Sequence, residues 1–368
     1  MSRVFITEAQ VVTAFGTGLG PLYRGMKSGK NGFSGISHFD TSPYVSSLAG
    51  MIPGLFPEKA NRFETLTDHL ISLTGKIGPE TLVITASTKG GIENAGRIPP
   101  ENLRVSALPG HVSGQLGLKR QGINISAACA SSTIALAKAA RMIRNGSEES
   151  VLVFAMDLVS EFVFSGFSAI GAMSSEPARP FDADRNGLTL GEGGAVLMLM
   201  NEKRLSRTGT TPLAELSGWG VAGDAVHLTA PDRNGSGLKS AITKACRTAG
   251  LPHDRIRVIN THGTGTLYND AMELEAITSL FDQNRIMAHS VKGAIGHTLG
   301  AAGAIEAALC TRILETKCLP GTTGMTTPAP KAGKMFSHDC REFDTDTILT
   351  TNSGFGGINA ALILRKIQ

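Results

Sequence analysis

The chain has 368 residues, 41% of them hydrophobic and 18% charged, and a net charge of +4. That length supports one large domain or two medium ones, and that balance excludes a disordered or low-complexity chain. Aromatic residues make up only 5% and no dense Lys/Arg run occurs, so nucleic acid is not an expected partner. The mildly basic balance reads as ordinary solubility charge, compatible with an acidic protein partner. No apolar run reaches the roughly 18 residues of a membrane span, and Met1–Thr7 carries no apolar leader. The five cysteines (Cys129, Cys246, Cys310, Cys318 and Cys340) are odd in number and lack CxxC spacing. They read as reduced thiols of a cytoplasmic protein, with no metal site.

In chain order, a first strand is expected at Val4–Thr7. The segment from Thr41 to Glu101, rich in Pro, Gly and Ser, reads as loops and short helices around a strand at Leu82–Thr85. Cys129 follows in Ile125-Ser126-Ala127-Ala128-Cys129-Ala130-Ser131-Ser132, between a short strand pattern and a helix pattern at Ser131–Arg144. A thiol at the first turn of a helix faces free backbone N–H groups and the positive dipole end, which favour the nucleophilic thiolate. Val151–Met156 is apolar on both faces, as a central strand covered by helices would be. Arg179–Leu188 and Gly191–Gly194 pair acids with arginines in Gly- and Pro-rich sequence, a pattern that locks loops together. A strand at Ala195–Met200 then gives way to the polar stretch Asn201–Thr210, the best candidate boundary, dividing the chain into 1–205 and 206–368.

The second part repeats the alternation, with helices at Gly237–Ala249, Ala271–Phe281 and Leu299–Leu314 and strands at Arg257–Asn260, Ile348–Thr351 and Ala360–Leu364. Strands alternating with helices imply an α/β fold. His262 stands at a strand end and opens a loop in which Thr264 and Thr266 alternate, so their hydroxyls either satisfy the local backbone as turn residues or face an amide-bearing substrate arm. Lys292 precedes His297 by five residues, and a helix of small residues then carries the lone acid Glu306. An acid buried there needs a partner, and Lys292 is the natural one. The loop Asn352–Asn359 holds Phe355 among small residues, placing backbone N–H groups beside a ligand with one ring as a movable wall. Without a Walker lysine or a GxGxxG turn, it is not a phosphate loop.

Taken together, these motifs resemble the β-ketoacyl-acyl-carrier-protein synthases, the condensing enzymes of the thiolase superfamily. Ala-Cys129 before a helix, His262-Gly-Thr-x-Thr, Lys292 with His297, Glu306 nine residues beyond, and Gly-Phe355-Gly-Gly stand in family order. The resemblance runs from the N-terminus to Leu364. It implies a five-layered α-β-α-β-α fold built from two similar halves. It also implies decarboxylative condensation of malonyl-carrier protein with an acyl group held on Cys129, in fatty-acid, polyketide or polyene assembly. His262 and His297 would stabilise the enolate, and Lys292 and Glu306 would support them. Thr264 and Thr266 would hold the pantetheine arm, and the N–H groups of Cys129 and Phe355 would form the oxyanion hole. No cofactor is implied beyond the phosphopantetheine of the acyl carrier protein. The chain would pair with a copy of itself or with a related synthase-like subunit.

Two departures bear on the acyl pocket. The family usually has an aromatic residue two positions before the closing phenylalanine, where this chain has Ser353. The stretch between Gly91 and His111 is also shorter than usual. Two other readings compete: a non-catalytic, chain-length-determining partner of another synthase, and a cysteine hydrolase. The first usually lacks the nucleophile, and the second leaves Lys292 and Glu306 without a role.

Overall fold

The structure, a computed structural model, describes residues 2–54, 61–96 and 99–367. The ten strands that organise it are β1 (Val4–Thr13), β2 (Leu82–Ala86), β3 (Ile123–Ile125), β4 (Ser150–Asp157), β5 (Gly193–Asn201), β6 (Ala214–Gly223), β7 (Val258–Asn260), β8 (Met287–His289), β9 (Thr347–Gly354) and β10 (Ile358–Arg365). They line up as β8-β7-β9-β10-β6-β1-β5-β4-β2-β3, with the short strand Gly16–Thr17 added to β1. The path is the same pattern twice. In the first half β1 runs antiparallel to β5, β5 antiparallel to β4, and β4, β2 and β3 are parallel. In the second, β6, β10 and β9 pair antiparallel in turn, and β9, β7 and β8 are parallel. A brief antiparallel contact of β1 with β6, at Phe5 and Ile6, joins the halves.

Two helices, α1 (Ser131–Arg144) and α4 (Ala302–Thr316), lie between the half-sheets and touch both. Their Ala135, Ala139, Ala304 and Ala308 share one core with Val153 and Leu197 on one side and Ile348 and Leu362 on the other. A helix buried on every side carries few charges and small residues, which is why both are rich in alanine. At their crossing, Gly303 meets Thr133 so closely that a Cβ would collide with its hydroxyl. The outer face of the first half is covered by Arg62–Ser72 and Leu108–Gln115, through Leu66, Leu70 and Val112 packed on Leu152, Phe154 and Val196. The outer face of the second is covered by α2 (Ser236–Ala249) and α3 (Leu267–Leu280), on Ile259, Leu349 and Ile363. The result is five layers, helix-sheet-helix-sheet-helix. Alternate residues of β4 enter different cores, so its unbroken apolar run has the physical cause expected of a central strand.

The expected strands and helices all form, most of them extended by a few residues, and Leu299–Ala301 is a 3₁₀ turn leading into α4. The strands β6 and β8 escape a periodicity reading. The latter is only three residues long, and Gly218 and Gly220 interrupt β6 where α2 packs directly on the backbone. The polar stretch Asn201–Thr210 is not an open linker. It forms the helix Glu202–Thr208, capped by the Asn201 side chain, which accepts from the Arg204 N–H at 2.8 Å. The segment from Thr41 to Glu101 contains the well-formed helix Arg62–Ser72 as well as β2, and residues 55–60 and 97–98 of it lie outside the described residues.

Candidate active site

Cys129 sits on a tight turn between β3 and α1. Ala128 adopts φ 48°, in the left-handed region that side chains rarely enter. The turn is held by N–H donation from Ala130 to the Ala127 carbonyl (3.1 Å), from Ser131 to the Ala128 carbonyl (3.2 Å), and from Ala127 to the Ser131 hydroxyl (2.8 Å). Strain of this kind at a strand-to-helix turn presents a nucleophile in a fixed direction. The helix begins at Ser131, so Cys129 lies just ahead of the first turn rather than within it. Gly354 at the end of β9 packs on the turn, where a Cβ would come within 3.1 Å of the Cys129 nitrogen.

The second half supplies the imidazoles. His297 Nε2 is 2.9 Å from Cys129 Sγ, and its Nδ1 accepts from the Leu299 N–H at 3.2 Å. An accepting Nδ1 places the proton of the neutral ring on Nε2, so His297 donates toward the sulfur and cannot act as its base. The His262 ring is 5.2 Å from that of His297, centroid to centroid, and nearly perpendicular to it. Its Nδ1 faces the Asn352 amide nitrogen at 3.3 Å, which again leaves Nε2 as the donor. The backbone of the His262 loop is pinned by two buried acids of α3. Glu273 accepts from the N–H groups of His262 (2.8 Å) and Gly263 (2.6 Å), and Asp270 accepts from that of Thr264 (3.0 Å).

Behind the histidines, Lys292 Nζ and Glu306 Oε1 are 2.6 Å apart and both fully buried. The second oxygen of Glu306 accepts from Asn352 Nδ2 at 2.9 Å, and Asn352 Oδ1 in turn accepts from the Thr133 hydroxyl of α1. The pair is thus satisfied on several sides, the condition for tolerating buried charge. Asp157, at the end of β4, accepts from the Gly300 N–H (2.7 Å) and from the Ser87 and Thr88 hydroxyls (2.8 Å each). It ties the turn after His297 to the first half.

Burial governs the electrostatics. It pushes the Cys129 thiol up to about 12, against the pull of the Lys292 charge. The helix start favours the thiolate, and burial of the sulfur opposes it. Burial and Lys292 hold both His262 and His297 well below the ordinary histidine value, so both are neutral. Burial raises Glu306, and Lys292 pulls it back.

A cleft of about 300 Å³ leads to this cluster. Cys129, His262, His297, Thr264, Thr266, Ser353 and Phe355 line it, while Lys292 and Glu306 stand behind. The Thr264 and Thr266 hydroxyls are 2.8 Å apart. Phe355 is 37% exposed and stacks on Phe167 at 5.7 Å, so one ring from each half meets across the cleft. Phe167, on Glu161–Ala169, carries no motif that would have marked it. Ser353 donates to Asn359 Oδ1 (2.7 Å), and Asn359 donates to Asp224 (2.8 Å), so a small polar chain occupies that wall. The acid-arginine loops lie around the cluster: Asp182 accepts from the Thr326 (2.6 Å) and Thr327 (2.8 Å) N–H groups, and Glu192 pairs with Arg62 at 2.5 Å. Among the described residues, Cys129, His262 and His297 form the one group of three ligand-type side chains close enough to share an ion, with donor atoms within 4.8 Å of one another. Cys246 and Cys310 are buried away from the cleft, whereas Cys318 and Cys340 are half-buried.

Residues 97–204 match the family described as "Beta-ketoacyl synthase, N-terminal domain", and residues 213–326 match "Beta-ketoacyl synthase, C-terminal domain". The chain is 33% identical to the "3-oxoacyl-[acyl-carrier-protein] synthase, mitochondrial" of Arabidopsis thaliana, over 81% of this chain and 68% of that one. It is 28% identical to the "3-oxoacyl-[acyl-carrier-protein] synthase 2" of Coxiella burnetii, over 99% of each. That alignment spans 408 positions against 368 residues here, so the relative carries segments this chain lacks. Among solved structures, "The ishigamide ketosynthase/chain length factor" superposes with a TM-score of 0.93 at 26% identity, over 100% of both chains. Both family descriptions fall in order on the two halves of a five-layered fold, with a cysteine and two histidines where the halves meet, and the chain belongs to the β-ketoacyl synthase family.

Proposed function

We propose that the protein is a β-ketoacyl-acyl-carrier-protein synthase that joins a malonyl unit to an acyl group carried on Cys129. The observation that carries this reading is one thiol 2.9 Å from a histidine Nε2, with a second imidazole beside it, in one buried cleft. In the first step Cys129 Sγ attacks the thioester carbonyl of an acyl carrier protein. The carbon–sulfur bond to the pantetheine breaks, and the Cys129 proton leaves with the pantetheine thiol. His297 donates to the sulfur as negative charge develops there, and Lys292 favours the same charge. In the second step malonyl-carrier protein enters the cleft, its arm passing Thr264 and Thr266. Loss of its carboxylate as carbon dioxide puts negative charge on the thioester oxygen. Two neutral Nε2–H donors fixed in advance stabilise that enolate without the reorganisation water would need. The enolate carbon then attacks the acyl-Cys129 carbonyl, whose oxyanion is met by the N–H groups of Cys129 and Phe355. That attack forms the carbon–carbon bond; collapse of the oxyanion then breaks the carbon–sulfur bond to Cys129, whose sulfur takes up a proton. Lys292 and Glu306 position the histidines and keep a fixed charge near them.

In this reading the three ligand-type side chains act on the substrate, and no metal or cofactor is needed beyond the carrier's phosphopantetheine. The enzyme works in the cytoplasm, as a pair of like or related chains. It is built from halves spanning 1–205 and 206–368, a division supported by the repeated strand order. The test is product analysis with an acyl carrier protein and malonyl-carrier protein. A β-ketoacyl thioester and carbon dioxide in equal amounts are expected. Free acid as the only product would replace this reading with a hydrolase. No product alone, but longer chains from an added synthase, would replace it with a chain-length-determining partner.

A further inference from the structure

Behind the site, away from the cleft, two buried side chains carry polar atoms with no hydrogen-bond partner among the described residues. His289 ends β8 and is fully buried, and neither of its ring nitrogens has a hydrogen-bond partner. Asn260 ends β7 and is fully buried, and its Oδ1 is likewise unpartnered. The two are register partners on adjacent parallel strands. Such strands lie about 4.8 Å apart, so both side chains project from the same face. Val258 and Met287, two residues earlier on each strand, pack into the central core, so that face is the inner one, toward α4. The amide nitrogen of Asn260 donates to Thr350 (2.9 Å), and Asn352, two residues further along β9, donates to the Glu306 carboxylate (2.9 Å). On its other side His289 lies near Arg341, a half-buried cation on the ribbon Cys318–Leu319/Arg341–Glu342. Arg341 donates to the Met335 carbonyl, which also accepts from the Ala288 N–H (2.8 Å), so it sits over the edge of β8. The charged groups along this line are thus Arg341, Glu306 and Lys292.

The chemistry of the proposed reaction has a need that this line meets. Acyl transfer to Cys129 is proton-neutral, because the thiol proton leaves with the pantetheine. Condensation is not: malonyl carboxylate plus acyl-Cys129 plus one proton gives the β-ketoacyl thioester, carbon dioxide and the Cys129 thiol. A buried sulfur whose thiol form is strongly favoured must regain that proton every cycle. At that moment the product arm fills the cleft. We propose that His289 and Asn260 line a hydrated rear inlet through which a proton reaches the Glu306–Lys292 pair and then the site. A bridging water would satisfy both orphan groups at once, as buried waters do. His289 is neutral here, held down to about 3 by burial and Arg341, so its ring offers one donor and one acceptor to hold such a water. His289 touches no substrate, so it is a positioning residue.

This inference rests on the proposed synthase activity, and its test separates the two. Intact enzyme is first acylated on Cys129 and then mixed with malonyl-carrier protein, in ordinary and heavy water. His289→Phe should leave acylation within about twofold of wild type yet slow condensation by ~10-fold, with a larger solvent isotope effect. His289→Gln, which restores hydrogen-bonding atoms, should recover most of the rate. Condensation at the wild-type rate in His289→Phe, or an equal fall in acylation and condensation, would overturn the inlet. A high-resolution crystal structure of the wild-type protein decides the matter without relying on activity or on a variant that folds. Solvent density bridging His289 and Asn260 Oδ1 supports the inlet, and a dry gap overturns it. If wild-type enzyme forms no carbon–carbon bond, the activity reading fails while the solvent observation still stands.

Discussion

The helices α1 and α4 hold corresponding places in the two halves, yet they bring different things to the site. Each is entered through a non-glycine residue in the left-handed region, Ala128 at φ 48° and Leu299 at φ 53°. Each lies between the half-sheets and holds more alanine than any other residue. Ahead of α1 stands a thiol, and the buried faces of that helix carry only hydroxyl groups as polar partners. Ahead of α4 stands an imidazole, and the helix itself carries a buried carboxylate locked to Lys292. In the proposed reaction one half presents the atom that forms the covalent bond, and the other supplies the field in which charge develops. The lesson is that a repeated fold can separate nucleophile from electrostatics, provided the two helix starts converge. Here the side chains ahead of them meet, Cys129 Sγ and His297 Nε2 being 2.9 Å apart.

The asymmetry can be broken from either side. The largest effect is expected in the first half: Cys129→Ala removes the acyl carrier, and condensation should fall at least ~10³-fold with little change in thermal stability. Steady-state rates and a melting curve check this. On the other side, His262→Ala or His297→Ala should each cost about 10²–10³-fold in condensation, the scale of losing one preorganised oxyanion donor. The double variant should lose less than the product of the two, because the rings act on one oxygen. Glu306→Ala should show itself first in stability. It strands a buried ammonium, a change that costs about 3–5 kcal/mol, and urea titration should reveal it, with a smaller loss for Glu306→Gln. At the crossing of the helices, Gly303→Ala forces a methyl onto Thr133 and should cost about 1–3 kcal/mol.

The smallest perturbation is pH alone. With the Cys129 thiol pushed up to about 12, its thiolate fraction rises about tenfold per unit throughout the working range. Alkylation of the substrate-free enzyme by iodoacetamide should therefore keep accelerating from about pH 7 to about pH 10. A plateau near neutrality would mean that the helix start, not burial, sets the thiol.

How much could be read in advance follows from the physics of each signal. Cys129, His262, His297 and Phe355 stand at strand ends or glycine-rich turns, where backbone geometry leaves local marks in sequence. Lys292 and Glu306 betrayed each other because a lone acid in an apolar helix demands a cation. Asp157, Asp270 and Glu273 left no such mark, because each works by accepting backbone N–H groups from a segment distant in sequence or on a neighbouring loop. Asn352 was visible within the closing motif, but its link between α1, Glu306 and His262 exists only once the halves are assembled. The burial that opposes the thiolate left no mark for a similar reason: a helix start is local, whereas the burial of Cys129 is a property of the whole packing.

The central claim is a division of labour, with Cys129 carrying the acyl group while the histidines of the second half make the enolate that attacks it. Mass spectrometry across a single turnover tests it most directly. Intact enzyme treated with acyl carrier protein should gain one acyl group on the Cys129 peptide. Adding malonyl-carrier protein should discharge that group at the rate at which β-ketoacyl product appears. In His262→Ala the acyl group should load normally and then persist. An acyl group that never reaches Cys129, or that leaves as free acid when malonyl-carrier protein is added, would contradict the account.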